Sequence, residues 1–224
     1  MKLLSTRARH RWSCAVAVLS ALLIGGCSSV GAPQHSDTLS AYDQLAVQPD
    51  GVRSWRLAGA PHYRQVCVAA EQIAFGAAVA LDASEQQALR DALRTALGAR
   101  LAEAGMKVSS ATPCNEGLKL RSTITATQRT SPGVNVLTTV LLLAPLSRGG
   151  LSVELEALDV EGGQRVAAMA FTGRAGIEDL ATAFSALGHA RAQLDMAATR
   201  FAALVAGAPL PAAQPAPLPL DPLP

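Results

Sequence analysis

Leu89, Leu93, Leu97 and Leu101 recur every four residues, with Ala92, Ala96 and Ala104 beside them. Leucines four apart with alanines at the intervening i+3 positions draw one apolar stripe along a helix of about five turns. Arg90, Asp91, Arg94 and Glu103 take the other faces, and Gly105 stands where such a helix stops. Ser84, with Gln87 three residues on, has the form of a capping box at its start. A helix with one apolar face has to lay it on another element, so this stripe demands a second layer. Core packing is the reading taken for it, with a partner surface as the alternative.

The second layer is readable as strands. Leu118, Leu120, Ser122, Ile124 and Ala126 alternate with Lys119, Arg121, Thr123, Thr125 and Thr127, the period of a half-buried strand with its charges outward. Residues 151–160 alternate again, which turns Glu154, Glu156 and Ser152 toward solvent. Glu161-Gly162-Gly163 supplies turn residues, and 165–174 returns, so the two runs form a hairpin. Shorter strands are expected at 66–75 and 106–108. A closing helix at 178–206 carries Leu180, Phe184, Leu187, Leu194, Phe201 and Val205 on one stripe, with Gly207 as its stop. The expected fold is α+β: a single two-layer sandwich over residues 41–206, two long helices packed on a mainly antiparallel sheet. At 50% hydrophobic and 16% charged residues, the chain is neither disordered nor a bundle of membrane spans.

The ends read as address and tether. Residues 1–26 have a basic start (Lys2, Arg7, Arg9, Arg11), an apolar run from Cys14 to Ile24, and two small residues. That run reaches about 16 Å of a ~30 Å bilayer core, too short for a span. Leu23-Ile24-Gly25-Gly26-Cys27 resembles the bacterial lipobox. The resemblance implies that Cys27 becomes the first mature residue and carries diacylglycerol and an N-acyl chain, with no other cofactor. An ordinary signal peptide with a chance cysteine is the alternative. Ser28, not Asp, follows the cysteine, which favours the periplasmic face of the outer membrane over the inner membrane. Residues 27–40 are rich in Ser, Gly, Pro and Asp and read as a flexible lipidated tether. Residues 207–224 hold seven of the thirteen prolines and read as a disordered tail, with a docking strip for an aromatic groove as the other reading. Without the four basic residues of the signal the count is 15 positive against 17 negative, so nucleic acid has no electrostatic case as a partner.

Cys67 and Cys114 remain as an even pair in a compartment that oxidises thiols. They are a disulfide candidate, against two buried thiols too far apart to bridge. Their isolation from histidine and from each other speaks against zinc, and no metal site is expected. The stretch 130–147 is without charge, bracketed by Pro132 and Pro145. It admits a buried strand or helix, an exposed apolar loop, or a re-entrant insertion. Val136, Leu137, Val140, Leu141, Leu142 and Leu143 are its candidate contacts to a partner or lipid.

The order of these segments resembles the domain of unknown function 3313 family of bacterial lipoproteins. The likeness covers roughly 38–206 and rests on Leu39-Ser40-Ala41-Tyr42-Asp43-Gln44-Leu45 and on the capped helix. It rests also on Ser131-Pro132-Gly133-Val134-Asn135-Val136 and on Leu151 to Asp159 with its Gly162-Gly163 turn. Phe201 stands where family members tend to carry tryptophan. The family brings no established activity. No Gly-x-Ser-x-Gly, His-Glu-x-x-His, phosphate loop or Cys-x-x-Cys occurs. His62, beside Tyr63 and Arg64, reads as a solvated turn, with an anion site as the alternative, and a hydrolase would need His62 or His189 beside a nucleophile. The expectation is a non-catalytic envelope protein that binds a protein partner or assembles with itself. A carrier of lipid or another hydrophobic ligand is the alternative.

Overall fold

The computed structural model describes residues 38–48, 51–77, 79–128, 150–174 and 187–210, all within one compact unit, Ala32–Pro224. The signal, Cys27, most of the tether, the stretch 130–147 with its six candidate contacts, and residues 211–224 of the tail lie outside them. Eight strands are described: β1 (Ala46–Val47), β2 (Arg53–Arg56), β3 (Gln65–Cys67), β4 (Ile73–Phe75), β5 (Lys107–Ser109), β6 (Leu118–Gln128), β7 (Gly150–Asp159) and β8 (Arg165–Arg174). Two helices accompany them, α1 (Ala83–Glu103) and α2 (Gly188–Ala206). The strands form one sheet in the order β1-β2-β8-β7-β6-β3-β5, with β4 also paired to β6. Pairing is antiparallel from β1 to β6 and parallel where β3, β4 and β5 join. This is the α+β arrangement that the sequence pattern predicts.

The helix layer follows from its stripe. Leu89, Leu93, Leu97 and Leu101 are fully buried and, with Leu194, Ala198 and Phe201 of α2, form the core over the sheet's front face. Each such leucine contributes roughly 1.5–3 kcal/mol by leaving water, and the stripe is core rather than a partner surface. The capping box is present two residues earlier than the expected one, at Asp82 and Glu85 in place of Ser84 and Gln87. Asp82 caps the helix through the Glu85 amide at 2.9 Å, and Glu85 returns a bond to the Asp82 amide at 3.0 Å. Ser84 donates its hydroxyl to Asp82 instead, at 2.8 Å. Arg100 ties the helices together with a two-pronged contact to Asp195 at 2.9 and 3.0 Å.

The expected strand at 66–75 is two short strands split by a 3-10 turn, Ala70–Gln72, both lying parallel to β6. α1 is the crossover from this pair to β5, as a parallel connection needs. The loop from β5 to β6 then passes β3, and the Cys67–Cys114 disulfide pins it there, with Cα atoms 6.0 Å apart. The disulfide alternative for these two cysteines is therefore the one realised.

Candidate functional site

β7 is the centre of the sheet, and its alternation sorts two kinds of residue. Leu151, Val153, Leu155 and Ala157 enter the helix-side core, which leaves Ser152, Glu154 and Glu156 on the back face. That back face is not solvated. Glu154 is 2% exposed and Glu156 is wholly buried, which corrects the expectation of an exposed carboxylate strip.

What covers them is the segment Thr38–Leu45, three residues of which fall inside the stretch read as tether. It crosses the back of the sheet as a strap with a 3-10 turn at Tyr42–Gln44. Leu39 and Leu45 are buried against Ala168 and Ala170 of β8, with Tyr42 and Trp55 alongside. Alanines at these two positions leave a shelf low enough for a chain to lie on. This cluster is separate from the main core.

The polar contacts of the strap converge on the two carboxylates. Thr38 Oγ1 and Tyr42 Oη both donate to Glu154 Oε2, at 3.0 and 2.7 Å. Ser40 Oγ donates to Glu156 Oε1 at 3.0 Å. Arg121 on β6 meets Glu156 Oε2 through Nε at 3.1 Å and through Nη2, and its Nη2 also donates to the Thr38 carbonyl at 3.2 Å. Arg165 donates to the Ser40 carbonyl and the Gln44 amide oxygen, and its guanidinium lies 4.4 Å from the Trp55 ring centre. Burying a carboxylate is costly unless charge-assisted hydrogen bonds replace its water, and these donors do so.

A cavity of about 320 Å³ opens beside the strap, lined by Thr38, Glu71, Arg121, Thr123, Glu154 and Glu156 among others. Its lining is mixed, with three carboxylates and one guanidinium beside Leu39 and Ala74. The Thr112 hydroxyl, donating to Glu71, holds that carboxyl below its usual range. Among the described residues no group of three or more His, Cys, Asp or Glu is placed to hold a metal ion. The other sequence candidates do not gather here. His62 is exposed, whereas His189 is buried on α2. Burial first, then the Asp159 carboxylate, raises the Tyr63 hydroxyl above its ordinary value.

The strap was missed because Leu39, Tyr42 and Leu45 stand in a polar stretch with no period of their own. A signal for it existed on β8. Val166-Ala167-Ala168-Met169-Ala170-Phe171 is apolar without alternation, the mark of a strand covered on both faces. Glu154 and Glu156 lie on its immediate neighbour.

These features define a class first: an α+β domain whose sheet is closed by helices on one face and by its own N-terminal segment on the other. The chain belongs to the family described as a protein of unknown function (DUF3313), which matches residues 34–201. Among solved structures it is similar to the PelC dodecamer from Paraburkholderia phytofirmans, at 13% identity over 62% of this chain and 96% of that one, with a TM-score of 0.36. It is similar also to protein XCC0632 from Xanthomonas campestris, at 13% identity over 68% of this chain and 91% of that one, TM-score 0.36. At that TM-score neither likeness carries an argument about what this chain does. No curated protein matches it.

Proposed function

We propose that this chain is a lipid-anchored envelope protein, held through acyl chains on Cys27 at the periplasmic face of the outer membrane. Its body is a non-catalytic module that binds a protein partner or a further copy of itself. The observation that carries the binding reading is the pairing of Gln128 with Gly150 at the end of the β6–β7 hairpin. The uncharged stretch 130–147 lies between these two paired residues in the sequence, and we take its Val136, Leu137 and Val140 to Leu143 as the contacts to a partner. On the back face the Glu154 and Glu156 oxygens accept hydrogen bonds from the strap.

Native mass spectrometry of the full-length protein, extracted from its own membranes in mild detergent, tests both parts. The anchor predicts a chain beginning at Cys27 with added acyl mass, and an unacylated chain refutes it. The binding module predicts multimers or a co-purifying protein, lost in Leu141→Asp while the melting curve is retained. A bare monomer refutes that part, and extra lipid mass beyond the anchor favours the carrier.

A further inference from the structure

We propose that Thr38–Leu45 is a releasable strap, and that the groove it fills also accepts the same segment from a second copy of this chain. The inference goes beyond the reading above and rests only on contacts among the described residues. Three observations carry it.

The strap can leave without opening the core. Its apolar contacts are Leu39 and Leu45 on Ala168 and Ala170, with Tyr42 and Trp55, a cluster apart from the one between helices and sheet. After the strap, among the described residues, the chain is held by the two-residue strand β1, whose Ala46 and Val47 are exposed, by the turn from Gln48 to Val52 and by the Gln48 side-chain amide donating to Ser54, before Val52 enters the main core. Elements with few buried apolar contacts open at free energies well below that of global unfolding.

The closed strap is opposed from within. Ala41 sits in the left-handed region at φ 56°, ψ 68°. An L-residue with a Cβ is disfavoured there roughly tenfold in population. Such a backbone persists because its surroundings hold it, and the holders are the two carboxylates and Arg165. Remove their grip and the strain favours release.

The groove recognises a pattern that any copy of the segment carries. Hydroxyls at 38, 40 and 42 reach Glu154 and Glu156, and leucines at 39 and 45 reach the alanine shelf. The carbonyls of Thr38 and Ser40 reach Arg121 and Arg165. None of these contacts depends on the strap being joined to the same chain. Each copy carries one strap and one groove, so two copies exchanging straps satisfy both grooves in a closed two-fold pair.

The test uses the full chain in equal amounts of 14N- and 15N-labelled protein, with Tyr42 replaced by the photo-crosslinker p-benzoylphenylalanine. A second preparation carries the crosslinker at exposed Asp43 instead, in case the first does not fold. After co-incubation and irradiation, products joining the strap to β7 or β8 are read by mass. Exchange predicts mixed-isotope products approaching their statistical share, diluted out as protein concentration falls. Same-isotope products alone overturn exchange. Hydrogen exchange on the unmodified chain tests release. Strap amides at 38–45 are expected to exchange roughly a hundredfold faster than those of β7, and equal rates overturn it. Neither readout depends on acylation or on residues 130–147, so failure here is distinct from failure of the proposed function.

Discussion

Arg121 and Glu156 allow the back-face network to be tested quantitatively. The Glu156 side chain is 1% exposed and the Arg121 side chain 46% exposed. Replacing Arg121 by methionine keeps the stem and removes the guanidinium, leaving the carboxylate buried with Ser40 as its remaining donor from this network. Breaking a fully buried pair from one side costs about 3–5 kcal/mol. Almost half of the Arg121 side chain already faces water, which screens the pair and replaces part of it, so the expected loss is about 2 kcal/mol. For a domain of this size that lowers Tm by about 4–8 °C. Glu156→Gln removes the charge that needed compensation and is expected to cost about 1–2 kcal/mol. The double variant should cost less than the sum of the singles by about 1–2 kcal/mol, because the charge left stranded in Arg121→Met is gone. Urea and thermal unfolding of all four proteins, followed by circular dichroism, closes the cycle. Arg121→Met within 0.5 kcal/mol of wild type, or strictly additive singles, would refute the reasoning, since the guanidinium would then not be what makes burial of Glu156 tolerable.

Three further outcomes follow from other parts of the molecule. Cys67 and Cys114 are separated by 47 positions, and opening a ring of that length costs about 4 kcal/mol in the chain-entropy model. Cys67→Ala/Cys114→Ala should show that loss in urea, and the wild type should show it only with reductant. At Gly117, with φ +75°, an added Cβ would lie 2.3 Å from the Gln65 carbonyl oxygen, so Gly117→Ala should lose about 2–4 kcal/mol. Gly51→Ala shares the positive φ, +82°, but meets open space, and should lose only about 1 kcal/mol. Equal losses at the two glycines would show that the close approach at Gln65 does not matter. Finally, Tyr63 is held above its ordinary value of 10.0 by burial and by Asp159, so the folded chain keeps that proton more tightly than the unfolded one. The stability this adds is complete below that value and declines as pH rises through the folded one. Tyr63→Phe should therefore show a shallower alkaline decline than wild type in melting curves across that range.

What was legible from sequence was whatever a local period encodes. The leucine stripe of α1, the alternation of β6 and β7, the glycine turn between β7 and β8, and the stop at Gly207 each depend on residues within a few positions of one another. An even cysteine pair narrowed the disulfide to one choice, though not to a certainty, because bridging needs a Cα separation that only the fold supplies. Where the periods were right, the faces were not always right. Alternation says that Glu154 and Glu156 share a face and that Leu155 points the other way. It does not say whether that shared face meets water. The answer came from Thr38, Ser40 and Tyr42, more than a hundred positions away in the chain, brought over β7 because the alanines of β8 leave a shelf beside it. A strand fixes the direction of its side chains by backbone geometry alone, whereas solvation is a property of whatever distant chain is packed above them. The orientation of the two carboxylates was therefore written locally, and their role as clamps for the strap was decided by tertiary structure.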